Sequence, residues 1–463
     1  MRSLLVPALL LIASSARADD APSLDAVGGG GRPPSPDWRA PQLADWTPRI
    51  RVQRPSPLTE PPAGWTHLAR PTGFRVPVYD RVEKPRALIA RTRRGEVFPA
   101  RTAESTASCY DNGTTGRWWS VPGGVVCSSS GYEFGRRLEP FDEPQRPPAV
   151  NRALPFRFGR VIVKGAPRFS QRPTPAEVRW ALDLSPEDQE AESPAAVIER
   201  MWDDFFLALS SRELIADTPV VRTVYGEYVL ADHLKILQPP PMQGEFIDAE
   251  APLPVAFVRG EDNADLWCER GGRLERCGEA EKHARFRPKG VVSRQGEAYL
   301  RGWDGRMIAA ERVRVARPIS RPAGVQPGEK WIHVNLGEQT LVAYEGDQPI
   351  FATLVSSGKP GHDTPTGLYQ VQRKYLSKTM RGRDPKEGIY HVEEVPWTTY
   401  YHGAYAIHGA YWHNTFGDVR SHGCTNVAPA DARFIYLWGE PEMAPHLHAQ
   451  VNESAMHFYF TQD

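Results

Sequence analysis

The densest run of reactive side chains in the 463-residue sequence is YAIHGAYWHNTFGDVRSHGCTNVAPADARFIYLW, residues 405–438. A thiol attacks well only as thiolate, and a free cysteine of pKa about 8.5 is a few per cent ionised near neutrality, so an adjacent imidazole matters. His408 and His422 are the candidate bases for Cys424. Gly423 before the cysteine, and Thr425 and Asn426 after it, allow a turn that presents the sulfur while backbone N–H groups face a developing oxyanion. The run PADARFIYLW can form a helix whose positive end would favour thiolate. Zinc is the rival chemistry. His402, His408, His413, His422 and Cys424 could supply N and S donors, but their spacing matches no compact ligand pair, and no metal or other cofactor is expected.

These groups need a frame. KWIHVNLGEQTLVAYEGDQPIFATLVSSG, from Lys330, reads as short strands with turns at Gly337-Glu338 and Gly346-Asp347, an antiparallel meander. The polar loop SSGKPGHDTPTG, residues 356–367, follows. The stretch from Gly367 to His408 is long enough for a substrate lid or a surface insertion, and its Glu393-Glu394 pair reads as a solvated face. Tyr411 and Trp412 read as wall packing or substrate stacking, two roles the sequence does not separate.

The two motifs resemble those of the L,D-transpeptidase (YkuD-like) family. One stands as His408, twelve residues, then Ser421-His422-Gly423-Cys424-Thr425-Asn426; the other is Gly358 with Thr364-Pro365-Thr366-Gly367. The resemblance covers residues 329–440. It implies that Cys424 attacks the carbonyl between the third, L-centre residue and the terminal D-residue of a peptidoglycan tetrapeptide stem, giving a thioester that a neighbouring stem's amine resolves into a cross-link. It implies His408 as proton acceptor, oriented by the backbone around Gly409, and an oxyanion site from His422, Gly423 and the Cys424 amide. Ser421, Asn426, Gly409, Tyr411 and Trp412 are the expected substrate-binding residues, and carbapenem-type agents the expected covalent modifiers. Hydrolysis of the same stems, as an L,D-carboxypeptidase or endopeptidase, is the alternative at this site. A wall-binding scaffold with a vestigial catalytic domain is the alternative of another class, and the intact His408 and Cys424 favour the enzyme.

The rest of the chain bounds where this chemistry happens. Arg2, the apolar run Leu4–Ala13 and Ala16-Arg17-Ala18 read as a signal peptide, residues 1–18, cleaved before Asp19, so the expected location is the periplasm or cell wall without stable membrane insertion. In an oxidising compartment thiols pair, and sequence-near partners flanking turns predict Cys109 with Cys127 and Cys268 with Cys277, leaving Cys424 free. Lys plus Arg and Asp plus Glu are both 56, so no net field favours nucleic acid. The 44 prolines and 39 glycines exclude an all-helical chain.

The expected fold is therefore mainly β: a C-terminal L,D-transpeptidase-type β-sandwich or barrel with short helices, preceded by small β-barrel-like modules and a disordered tether. The boundaries are a Pro/Gly/Arg-rich linker at 19–64, β-rich modules at 65–140, 150–245 and 250–320, the catalytic domain at 329–440 and a C-terminal extension at 441–463. The first module's aromatic strand followed by Gly-Gly-Val-Val resembles the end of a bacterial Src-homology-type barrel. In the second module Ser193, Pro194, Val197, Met201, Phe205 and Ala208 predict a capped helix. The modules' similar endings read as degenerate repeats, with other wall proteins as possible partners.

Overall fold

The computed structural model describes residues 38–39, 58–111, 113–139, 148–184, 192–384, 388–451 and 454–462; the expected leader and most of the expected tether lie outside them. The expected meander forms. Strands Lys330–Asn335, Thr340–Glu345 and Gln348–Ser356 pair antiparallel, their inward positions filled by apolar residues such as Ile332, Val334, Leu341 and Phe351. The last strand, His457–Thr461, lies parallel to Lys330–Asn335 and antiparallel to Gly367–Gln370, so the stretch after residue 441 is folded into the same sheet. Arg373–Asp384 and Gly388–His402 make one long antiparallel hairpin. Helix Pro429–Trp438 packs Phe434, Ile435 and Tyr436 into the core that this sheet shares with Trp397, Phe458 and Phe460.

The upstream modules are β-rich, and among the described residues no closed barrel forms. Strands at their margins pair with the catalytic region instead: Leu88–Thr92 with Leu447–Gln450, and Phe206 with Val392. The third module keeps two separate sheets, of three and five strands, and joins through side chains such as Val255, Phe257 and Ala316 packed near Trp331 and Phe416. All three modules end alike, a three-residue 3-10 turn between two strands, at Ser128–Ser130, Ala231–His233 and Ala310–Arg312. Cys109–Cys127 and Cys268–Cys277 are bonded, the second pair across a hairpin whose turn glycines, Gly271 and Gly272, have φ of 56° and 75°.

Three expectations change. The helix of the second module is Pro175–Asp183, with Thr174 and Glu177 in a reciprocal capping box. Of the residues read as helical, Val197, Met201 and Ala208 fall on two strands, Val197–Met201 and Phe206–Ile215, while Ser193 and Pro194 precede the first and Phe205 lies in the turn between them, where Asp204 has φ 71°; Met201, Phe205 and Ala208 are buried. Trp38, inside the expected disordered tether, is buried in the third module against Phe286, and its indole N–H donates to Asp304 at 2.9 Å. A lone tryptophan carries enough apolar area to dock a segment that otherwise lacks a core.

Glu393 and Glu394 are the third correction: neither is solvated, at 1% and 0% exposure. Arg168 of the second module pairs with Glu393 and with Glu227 at 2.7 Å, and Ala208 N–H donates to Glu393 at 2.9 Å. Arg75 of the first module and the Tyr225 hydroxyl bond Glu394, which also accepts from Ser377 at 2.6 Å and Thr379 at 3.0 Å. A carboxylate taken out of water is tolerated when its lone pairs are filled in this way. The hairpin is thus clamped by two modules at adjacent residues.

Candidate active site

Cys424 sits where the two motifs interlock. Ser421 bridges to Gly358, Lys359 N–H donates to Ser421 O at 3.0 Å, and Ser421 and Arg420 N–H groups donate to Ser357 O at 3.0 and 2.9 Å. Thr364 Oγ1 accepts Gly358 N–H at 2.9 Å and donates to Gly423 O at 2.7 Å. A Cβ on Gly358 would lie 1.9 Å from His362 O, so the loop closes only with glycine there. Gly423, at φ 112°, makes the turn that precedes the cysteine. Its N–H is taken by Ser421 Oγ at 3.1 Å, and Ser421 in turn donates to Cys424 O, so Gly423 holds the loop instead of serving as an oxyanion donor.

His408 lies on strand Tyr405–Gly409, parallel to Thr425–Val427 and in register with Asn426. It lines the same cleft as Cys424, a space of about 890 Å³. Cys424 is partly exposed, with Sγ donating to Ala404 O at 3.6 Å, while His408 is 2% exposed. Burial pushes the Cys424 thiol up to about 11, and burial pushes the His408 imidazole down to about 4. The cleft therefore holds an un-ionised thiol at Cys424 and a neutral imidazole at His408. Helix Pro429–Trp438 begins after the strand that follows Cys424, and its first turn carries the buried Asp431. That carboxyl group accepts Gly244 N–H at 2.9 Å and the Thr353 hydroxyl at 2.6 Å, and burial pushes it up to about 7.

Among the other expected residues, Ser421, His422, Asn426 and Trp412 line the cleft. Trp412 lies 5.7 Å from the His408 ring, and the Asn426 amide contacts His413 Nε2 at 2.9 Å. Tyr411 does not reach the cleft: it is buried, stacked on Phe158 of the second module at 3.8 Å, and its hydroxyl donates to Glu393 O at 2.8 Å. Gly409 is a packing residue too, for a Cβ there would come within 3.2 to 3.4 Å of Pro396, Pro429 and Ala432. Neither is placed to bind substrate.

The long hairpin forms one side of the cleft, with Tyr390 stacked on the exposed His422 ring at 5.3 Å. His422 Nε2 lies 3.3 Å from Lys359 Nζ and 3.7 Å from Asp384, whose carboxylate pairs with His362 at 3.0 Å. His362, Asp384 and His422 are the group of described residues whose ligand atoms, within 4.8 Å of one another, could hold a metal ion; the Lys359 ammonium already supplies positive charge there. The histidines weighed for zinc are not brought together as a group. Sequence reading passed over His362, although it stands in the quoted loop, and Asp384, which no local pattern marks. It also passed over Arg160, Asp204 and Phe206, which line the cleft from the second module.

Residues 329–445 match the family model YkuD, the L,D-transpeptidase catalytic domain. No curated protein matches the chain. Among solved structures it is similar to a mutant of the Enterococcus faecium L,D-transpeptidase, at 20% identity over 29% of this chain and 50% of that one, TM-score 0.25. It is similar to an L,D-transpeptidase of Stackebrandtia nassauensis, at 21% identity over 31% and 62%, TM-score 0.22. It is also similar to L,D-transpeptidase 3 of Mycobacterium tuberculosis in complex with a faropenem-derived adduct, at 15% identity over 34% and 73%, TM-score 0.24. The chain thus spans about half the length of the first of these. Residues 329–445 are an L,D-transpeptidase catalytic domain.

Proposed function

We propose that the protein is an exported cysteine L,D-transpeptidase that cross-links peptidoglycan stem peptides. One observation carries the reading: the SHGC turn and the Gly358–Gly367 loop lock together so that Cys424 opens on a cleft also lined by the neutral His408. On this reading the Cys424 sulfur attacks the donor carbonyl as its proton passes to His408. The C–N bond breaks, the departing D-amino acid takes that proton on its amine, and a thioester remains. The acceptor amine then attacks the thioester, His408 takes its proton and returns it to sulfur, and the new amide leaves the enzyme unchanged. Neither step needs a cofactor, since the thioester retains the acylating power of the bond that was broken.

Two bonded cysteine pairs accord with export, and no helix among the described residues is long and apolar enough to cross a membrane. The test is incubation of the mature protein with defined tetrapeptide stems and analysis of products by mass spectrometry. Cross-linked dimers with release of the terminal D-residue are expected. Tripeptide without dimer would assign hydrolysis instead, and intact peptide would refute both.

A further inference from the structure

The lining of the cleft does not come from the catalytic domain alone. Arg160, Asp204 and Phe206, all of the second module, line it together with hairpin residues. Their place is fixed from several directions: Phe206 pairs with Val392, the Arg168 guanidinium and Ala208 N–H hold Glu393, and Phe158 stacks on Tyr411. Arg160 itself sits in two strand ladders, opposite Phe206 and opposite Lys235, so its backbone has no freedom to withdraw.

The charge of the cleft is lopsided. Arg160, Lys359, Arg381 and Arg420 line it, and Asp204 is the one carboxylate among the described lining residues. Arg160 and Asp204 form an ion pair whose side chains remain 44% and 62% exposed, so the guanidinium is oriented yet open to a second anion. Guanidinium groups held in this way bind carboxylates by charge-assisted hydrogen bonds.

Resting on the reading of the cleft as a peptide site, we infer that the second module is part of the substrate site, with Arg160 receiving a carboxylate of an acidic stem peptide. Asp204 orients the guanidinium and Phe206 packs beside the peptide. The module is then a specificity wall of the enzyme, beyond any role in holding the protein to its polymer.

The test uses the full mature chain, Arg160→Gln and Arg160→Lys, an acidic tetrapeptide stem and the same peptide with its side-chain carboxylates amidated. The thermal midpoint and the rate of Cys424 acylation by a small carbapenem-type agent are read in parallel. Arg160→Gln is expected to raise KM for the acidic peptide about tenfold with kcat and acylation within twofold of wild type. Arg160→Lys should recover most of the loss, and the amidated peptide should be indifferent to the substitution. An unchanged KM in Arg160→Gln overturns the inference, as does a parallel fall in acylation or thermal midpoint, which would make Arg160 structural. Failure of wild type to acylate at Cys424 would instead refute the proposed chemistry.

Discussion

Two sets of arginine-to-carboxylate contacts between the upstream modules and the catalytic region differ in kind. At the hairpin, Glu393 and Glu394 are buried and meet Arg168 and Arg75. At the loop before the SHGC motif, Arg259 of the third module pairs with Asp418, both about 30% exposed at 27% and 32%, and Arg314 donates to Gly417 O at 3.0 Å. A buried pair that loses one partner leaves an unsolvated charge, whereas an exposed pair exchanges its partner for water. The first two modules are therefore built into the catalytic fold, through strands as well as charges, while the third is joined by packing and by partly exposed contacts, Arg259 with Asp418 and Arg317 with Glu338.

The largest consequence is for truncation. Removing residues 19–320 would strip Glu393 and Glu394 of their arginines and leave Leu447–Gln450 without the Leu88–Thr92 strand. The isolated remainder should lose cooperative unfolding in urea; a sharp transition near that of the full chain would show that the modules are separable. Arg168→Ala comes next, with a loss of about 3–5 kcal/mol in chemical denaturation, the usual cost of orphaning a buried partner. Since Glu227 and Glu199 also face Arg168, Arg168→Lys should restore only part of it. Arg259→Ala should cost less than about 1 kcal/mol, as exposed pairs do. Equal losses at Arg168 and Arg259 would erase the distinction.

A smaller effect concerns the thiol. With the Cys424 thiol up at about 11 and His408 down at about 4, both groups are uncharged across the neutral range. Alkylation by iodoacetamide, which needs thiolate, should be slower at pH 7 than for free cysteine and should climb with pH well past 9. A plateau near pH 7 would mean that the site holds a preformed thiolate. Turnover should persist below pH 6, because His408 stays deprotonated until pH approaches 4.

The interlocking motif loops and the disulfides were legible because their determinants are local. The SHGC turn, Gly358 and the Thr364–Gly367 block are short strings whose residue types are forced by close contacts, and the disulfides join cysteines separated by 18 and 9 residues. The clamps were illegible for the opposite reason: Glu393 meets Arg168 across 225 residues and Glu394 meets Arg75 across 319, so a paired acidic dipeptide reads as surface. The false helix at Ser193 arose where two strands and a turn happened to place apolar residues at helical intervals. Tyr411 could not be separated from Trp412 by sequence, since adjacent residues on one loop point one into the Phe158 packing and the other toward the cleft.

The most direct measurement of the central claim is the site of covalent attachment. Mature protein treated with a carbapenem-type agent should gain the mass of one adduct, and tryptic mapping should place it on the peptide containing Cys424. Cys424→Ala should gain none while unfolding at the same urea concentration as wild type. An adduct on any other peptide, or one that survives in Cys424→Ala, would contradict the assignment of Cys424 as nucleophile.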